Sequence, residues 1–513
     1  MSDLPSEFNM AAYLVDRHVQ EGRAERPAIR CGGRTWTYGD LLAEVNRTAN
    51  ALSELGLQME QRCLLLLPDC PEFHFSFLGA MKMGAVPVPA NRFSPAKDLL
   101  YYLNDSRARV AIVHPEMWDR LQEIRGELRY LRHFIMTGPE VAPGCLSFDE
   151  VTCAAGPECD PAPTSPDDAS YWLFTSGTTG TPKGVIHLHH DMLYCVGPYT
   201  NEVIQTTPQD VLLSSSALFL SYGLVNSLYL PLYVGASVVL NPERPAPATL
   251  YRLLETERPT LFFSVPTSLA AMLADDAPHD LSSLRLCVSA GEPLPGALFE
   301  RWKERFGTEI LDGIGSTEFG YIFISNRAGK VRHGSAGQLI PPHEAKVLDP
   351  DGQPVPAGEI GELYMRSDSV AAGYWNKHER TKETFAGDWL RTHDNFLIDQ
   401  DGYFFYQGRA DDLIKVGGLY VAPSEVEGVL LQHQAVAECA VVGAPDADGL
   451  IKSKAFVVLR SGVEASDALA QELQAFTRDR LAHYKYPRAV EFVPELPKTV
   501  MGKIQRYRLR TSA

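Results

Sequence analysis

What the chain lacks narrows the possibilities first. Its nine cysteines are Cys31, Cys63, Cys70, Cys145, Cys153, Cys159, Cys195, Cys287 and Cys439, and no two stand in C-x-x-C spacing. That argues against a zinc ribbon or a thioredoxin-like site. An odd count in a chain of 513 residues is a poor basis for a disulfide scaffold. It fits a reducing compartment, so a cytoplasmic location is expected. Long apolar runs are missing too. The most apolar stretch, Leu218 to Leu240, is broken by Ser221, Asn226, Ser227 and Pro231, and reads as core rather than a membrane span. The N-terminal segment MSDLPSEFNMAAYLVDRH has no basic start followed by an apolar run, so no signal peptide is expected. Positive charge is short, with 47 Lys and Arg against 64 Asp and Glu, a net charge of −17. Such a chain repels DNA and anionic lipid, and neither is an expected partner. The 40 glycines and 36 prolines follow no period, which excludes a collagen-like fibre.

What is present is globular. Hydrophobic residues at 45% and charged residues at 22% leave no case for wholesale disorder. The length implies two or three domains. Residues 40–56 read as an amphipathic helix with Leu41, Leu42, Val45, Ala49 and Leu52 on one face. Cys63–Leu67 reads as a strand, Phe73–Met83 as a helix and Ala85–Val88 as a strand. Further on, Leu250–Glu257 reads as helix, with Leu261–Val265 and Leu284–Ser289 as strands. This rhythm predicts an α/β fold with mostly parallel βαβ sheets. The stretch Pro139–Asp168 reads as surface connection. Short strands at Ile360–Met365, Trp389–Leu390 and Tyr403–Tyr406, with Asp351-Gly352 and Asp401-Gly402 turns, predict a β-rich subdomain at about 345–410. A boundary near Asp411 separates a large domain, 1–410, from a small α+β domain, 411–513. In the latter, Ser424–Leu431 and Ala468–Leu481 read as helices and Cys439–Val442 and Lys454–Leu459 as strands.

The densest chemistry lies at Thr175-Ser176-Gly177-Thr178-Thr179-Gly180-Thr181-Pro182-Lys183-Gly184. Glycines let backbone N–H groups approach an anion, hydroxyls add donors and lysine adds a mobile positive charge. Together they read as a polyphosphate cradle. It is not a Walker A loop, because G-x-x-x-x-G-K-[ST] cannot be laid on it.

This loop resembles the phosphate loop of the adenylate-forming superfamily of acyl-CoA ligases, adenylation domains and luciferases. Further segments match in the family's order. Ser289-Ala290-Gly291-Glu292-Pro293 resembles the segment lying along the adenine and acyl group. Asp312-Gly313-Ile314-Gly315-Ser316-Thr317-Glu318 resembles its Y/D-G-x-G-x-T-E motif. Asp388-Trp389-Leu390-Arg391-Thr392-His393-Asp394 resembles its W-x-x-T-G-D motif. Gly408-Arg409-Ala410-Asp411-Asp412 and Lys415-Val416-Gly417-Gly418 resemble its hinge region, and Pro497–Ile504 its C-terminal catalytic motif.

The resemblance implies two steps. A carboxylate attacks the α-phosphate of Mg-ATP to give acyl-AMP and pyrophosphate, and a thiol, normally that of coenzyme A, then displaces AMP. The small C-terminal domain is expected to be mobile between them, with Asp411 as hinge and Gly417 and Gly418 along the coenzyme A channel. Lys503 suits the negative charge gathering at the α-phosphate. Glu318, beside Thr317, suits magnesium, which wants hard oxygen ligands. Asp394 suits a ribose diol, with Arg409 nearby. Other nucleotide contacts are expected from the phosphate loop, from Gly291, Glu292 and Pro293, and from Asp312 to Thr317. No G-x-S-x-G elbow is present, because Cys287-Val288-Ser289-Ala290-Gly291 lacks the first glycine. His187, His189 and His190 form an H-x-H-H cluster for which a structural or ribose-neighbourhood role is expected over a metal site. One position departs from the family, since His393 stands where glycine is usual. Glycine there would permit a backbone angle that histidine resists.

Within the superfamily, Leu218–Ser227 and Gly315–Asn326 look like those of benzoate-type CoA ligases. Phe219 and Tyr222 are expected to wall an aryl pocket, with Ser221 at its edge and Ala290, Gly291 and Gly315 beside the ring. Tyr321 stands where the benzoate pattern has histidine, and its hydroxyl favours a ring with a polar substituent, 2-aminobenzoate first. Tyr321 merely filling volume for benzoate is the competing reading. Rival functions are a stand-alone aryl adenylation enzyme loading a carrier protein, a fatty-acid ligase, and a non-catalytic nucleotide-binding protein. Retention of Thr178, Glu318, Asp394 and Lys503 argues against the last.

Overall fold

The computed structural model describes residues 4–176, 182–409, 414–416, 419–445, 451–481, 485–498 and 504–511. The chain forms two compact units, one of residues 1–344 and 365–390, the other of residues 345–364 and 391–513.

Local chemistry accounts for the first unit's early elements. Thr37 and Asp40 make a reciprocal capping box that starts the helix Tyr38–Glu54, whose buried face carries Leu41, Val45, Ala49 and Leu52. The helix Pro71–Lys82 packs against it. The two approach closely because Gly79 has no side chain, and a Cβ there would stand 2.8 Å from Thr48 Cβ. These helices flank a parallel sheet in the order Val86–Pro89, Arg62–Leu66, Val110–Val113, His133–Met136, Leu146–Ser147. The stretch 139–168 is more than a connection. Besides that last strand it holds the helix Phe148–Ala154, capped by Ser147. Seven residues are too few to show a helical period, which is why the helix was not legible.

A second sheet is parallel through its centre. It runs Pro27–Cys31, Ser237–Val239, Val211–Ser214, Leu261–Ser264, Leu286–Ser289, Ile310–Gly315. Ile322–Ser325 and Gly337–Leu339 then continue it antiparallel. The strands are apolar on both faces, as helices on both sides require. A third, antiparallel sheet joins Ala169–Ser176, Pro182–Leu188 and Gly373–Tyr374.

The second unit begins with β structure. Strands Glu344–Leu348, Ile360–Arg366, Trp389–Ile398 and Tyr403–Arg409 follow one another across its sheet, with Gly352 and Gly402 at φ near +79° in the Asp-Gly turns. Of its other strands, Ile414–Val416 pairs antiparallel with Leu419–Val421, and Val436–Pro445, Ile451–Leu459 and Ala489–Phe492 form a three-stranded sheet. That sheet packs on the helices Pro423–Leu430 and Asp467–Arg478 around Val426, Leu430, Val441, Val457 and Leu473. All nine cysteines are free. No helix among the described residues is long and apolar enough to cross a membrane.

Candidate active site

Ligands of parallel α/β sheets bind at the carboxyl ends of the strands, and two of the sequence motifs lie there. The strand Leu286–Ser289 leads into Ala290–Pro293, and Ile310–Gly315 into Ser316–Tyr321. Asp312 is buried in that second strand, and burial holds its carboxyl well above the usual carboxylate range. Gly315 is forced to be glycine, because a Cβ would stand 2.2 Å from the Tyr321 carbonyl oxygen. Gly313 and Ile314 pair with Ser325 and Ile324. The Glu292 side chain accepts from the Thr267 hydroxyl at 2.7 Å.

The turn 316–320 is held from several sides. The Phe319 N–H bonds Ser316 Oγ at 3.2 Å. The Ala371 N–H bonds the Glu318 carbonyl at 2.9 Å. The Ser221 hydroxyl donates to the Gly320 carbonyl at 2.6 Å. His187 Nε2 lies 2.7 Å from the Thr317 carbonyl, which can only accept, so that nitrogen carries a hydrogen. Its Nδ1 meets Asp191 Oδ2 at 2.8 Å, both side chains wholly buried. Burial pushes the Asp191 carboxyl up, against the lowering effect of its bond to His187. His189 Nδ1 accepts from the Met10 N–H at 3.1 Å. The histidine cluster is thus knitted into the fold, and no group of three metal-ligating side chains is found among the described residues.

The Glu318 carboxylate accepts from the Tyr374 hydroxyl at 2.7 Å through Oε1. Among the described residues, Oε2 accepts no hydrogen bond. A half-buried carboxylate with one oxygen fixed and the other open has the hard-oxygen character magnesium takes, so Glu318 fits that ion. Lys183 lies on the strand after the phosphate loop, opposite Thr175, its ammonium 4.6 Å from the centre of the Tyr374 ring. Gly177, Thr178, Thr179 and Gly180 lie outside the described residues, as do Asp411, Gly417, Gly418 and Lys503.

Of the aromatic residues expected in the pocket, Tyr222 and Tyr321 come together, while Phe219 makes its ring contact with Phe93. Tyr222 and Tyr321 stack with centroids 6.1 Å apart, and Tyr199 meets Tyr321 edge-on at 5.0 Å. The Tyr222 hydroxyl donates to the Val288 carbonyl at 3.1 Å. The Tyr321 hydroxyl donates to Asn226 Oδ1. Asn226 is wholly buried. Phe219 is buried and meets Phe93 edge-on. Asp69 supports the segment before Ser221, accepting from the Leu218 N–H at 3.1 Å. Burial pushes its carboxyl up to about 7, against the lowering effect of that bond and of Arg92.

In the second unit, Asp394 and Arg409 stand opposite each other in antiparallel strands, Arg409 Nη1 3.1 Å from Asp394 Oδ1. The Asp394 N–H bonds Thr392 Oγ1 at 3.1 Å. His393 has φ +58°, the left-handed angle at which the family uses glycine. Its Nδ1 is 3.5 Å from Glu362, which also holds Arg391 through two bonds of 2.7 Å.

Sequence reasoning gave no site role to Tyr374, Asn226 or Asp69, and it left His187 without a partner. Asn226 lay inside a quoted segment, and only the contact with Tyr321, 95 positions away, gives it meaning.

Comparison with known proteins places the chain in a family. Residues 15–375 match the AMP-binding enzyme family, and residues 425–503 match the AMP-binding enzyme C-terminal domain. The chain is 43% identical to a benzoate–CoA ligase of Thauera aromatica, across 99% of this chain and 97% of that protein. It is 41% identical to a 4-hydroxybenzoate–CoA/benzoate–CoA ligase of Rhodopseudomonas palustris, across 98% and 94%. The crystal structure of the anthranilate CoA ligase AuaEII in complex with anthranoyl-AMP superposes with a TM-score of 0.93 at 41% identity, across 100% of this chain and 98% of that one. With both family models matched and relatives aligned end to end, the chain belongs to the AMP-binding, adenylate-forming enzymes, as an AMP-forming acid–CoA ligase.

Proposed function

We propose that the acid is aromatic, with 2-aminobenzoate the first candidate, converted to its coenzyme A thioester through an aryl-AMP. The observation that carries this reading is the group Tyr199, Tyr222 and Tyr321 beside the Ser316–Glu318 turn, with one buried amide, Asn226, at the Tyr321 hydroxyl. Flat rings favour a flat substrate. A tyrosine hydroxyl that donates to Asn226 keeps lone pairs to accept from an ortho amino group. The likeness to an anthranilate CoA ligase and to benzoate ligases supports the same class.

Like other adenylate-forming CoA ligases, the enzyme uses ATP, magnesium and coenzyme A. Magnesium supplies charge neutralisation at the phosphates, and Glu318 would hold it. In this reading the substrate carboxylate attacks the α-phosphate while the phosphate loop and Lys183 bind the departing pyrophosphate. Lys503 neutralises the phosphoryl transition state. Asp394 accepts from the ribose hydroxyls, kept in place by Arg409. Residues 411–513 then turn about Asp411 as a mobile domain for the thioester step, with Gly417 and Gly418 beside the thiol. ATP–pyrophosphate exchange across benzoate, 2-aminobenzoate, 2-hydroxybenzoate and 4-hydroxybenzoate tests the acid, and product formation with coenzyme A as sole thiol tests the acceptor. Exchange with fatty acids but none with these four would overturn the reading.

A further inference from the structure

We propose that Tyr374 is a positioning residue for adenylation, tying the metal-binding carboxylate Glu318 and the phosphate-strand Lys183 to one side chain. The inference rests on the reading of Glu318 as the magnesium ligand. The strand Gly373–Tyr374 pairs antiparallel with Pro182–Leu188, Tyr374 opposite Val185. Lys183 is therefore a diagonal neighbour across the pair, within reach of long side chains on the same face. Its ammonium sits 4.6 Å from the ring centre, a distance at which the ring's negative face attracts a cation. The hydroxyl at the far end of the same ring donates to Glu318 Oε1 at 2.7 Å. Tyr374 is itself fixed. It is 7% exposed, its N–H bonds Thr381 Oγ1 at 3.1 Å, and its ring meets Phe385 edge-on at 5.3 Å. A rigid ring thus sets the separation between the group that meets magnesium and a group that meets phosphate. Because the hydroxyl occupies one carboxylate oxygen, it also decides which oxygen is left for the metal.

Partners that orient a ligating group typically change metal affinity about 10–100-fold when removed. The test uses the non-cleavable analogue α,β-methylene-ATP, its dissociation constant measured by calorimetry with magnesium and with EDTA. The ratio of the two constants is the gain due to the metal. Tyr374→Phe keeps the ring and the Lys183 contact, so affinity in EDTA should stay at the wild-type value while the metal gain falls about tenfold. Tyr374→Leu removes the ring as well, and affinity in EDTA should also drop, by about 2–5-fold. Glu318→Gln should abolish most of the gain in either background. A wild-type metal gain in Tyr374→Phe, with Glu318→Gln impaired, would overturn the proposal while leaving the magnesium reading standing. A full gain in Glu318→Gln would overturn that reading and the proposal with it. Melting curves of each variant separate a loss of positioning from a loss of fold.

Discussion

Replacing Tyr321 by phenylalanine removes one oxygen from a closed polar pair. The residue is 2% exposed and its hydroxyl donates to Asn226 Oδ1. Asn226 is wholly buried, and its amide nitrogen reaches Ser214 Oγ at 3.5 Å. Among the described residues, the substitution leaves Oδ1 with no other hydrogen-bond donor. Losing a neutral hydrogen bond costs about 0.5–1.5 kcal/mol, and orphaning its buried partner about 1–3 kcal/mol. Part of that falls on folding, so the melting temperature should drop whatever the substrate. The catalytic part depends on the acid. Where a ring substituent bonds the hydroxyl, the same range translates into a loss of roughly twofold to over a hundredfold in kcat/KM. Plain benzoate has no group to orphan, and its loss should be small. The assay is kcat/KM for 2-aminobenzoate, 2-hydroxybenzoate, 4-hydroxybenzoate and benzoate with both proteins. Equal fold changes across the four acids would show that Tyr321 acts through shape and that its hydroxyl serves Asn226 alone.

Three further outcomes are expected. Lys503→Ala should cripple formation of aryl-AMP and spare thioesterification of supplied aryl-AMP, because the lysine's charge is needed only at the phosphoryl step; comparable losses in both half-reactions would refute this division. His393→Gly should fold with little change in melting temperature, since relief of the +58° angle offsets glycine's greater chain entropy. His393→Val should cost about 1–2 kcal/mol, because a branched side chain resists that angle, and equal melting curves for the two variants would contradict the strain argument. Asp69 titrates near 7 in the fold, above the ordinary carboxylate value of about 3.9. The folded state therefore holds this proton more tightly than the unfolded chain. Stability attributable to Asp69 falls as pH rises from about 4 to about 7. Asp69→Asn should match wild type near pH 4 and exceed it by about 1–3 kcal/mol at pH 8, the full shift being reduced by partial solvent contact. Parallel stability curves from pH 4 to pH 8 would refute it.

Elements with a strong local signal were legible in the sequence. The apolar face of Leu41, Val45, Ala49 and Leu52 announces the helix Tyr38–Glu54, and the strands around Leu64 and Phe262 stand out as short apolar runs bounded by turns or helices. Strand ends were less so. Trp389–Leu390 extends to Ile398, and Cys439–Val442 to Val436–Pro445, because pairing with a neighbouring strand carries polar residues into the ladder. The site was readable as far as composition reaches. The phosphate loop and the Ser316–Glu318 turn declare themselves by residue type. Tyr374 has no such marker. Its meaning comes from a register with a strand nearly two hundred positions earlier, and no local pattern encodes that. The same holds for the His187–Thr317 bond, although His187 itself had been picked out as unusual.

The division of the chain bears on how the enzyme is made. The first unit closes only when residues 365–390 arrive, and Gly373–Tyr374 is the strand that covers one side of Pro182–Leu188. At about 5–20 residues per second, a ribosome delivers that cover about 10–40 s after the strand it protects. For that interval the Lys183 strand offers unpaired N–H and C=O groups along one side, a template for pairing with another nascent chain. Substitutions along this side should therefore act first on the yield of soluble protein during synthesis, at a stage when neither the melting temperature nor the turnover of the finished enzyme has yet been defined.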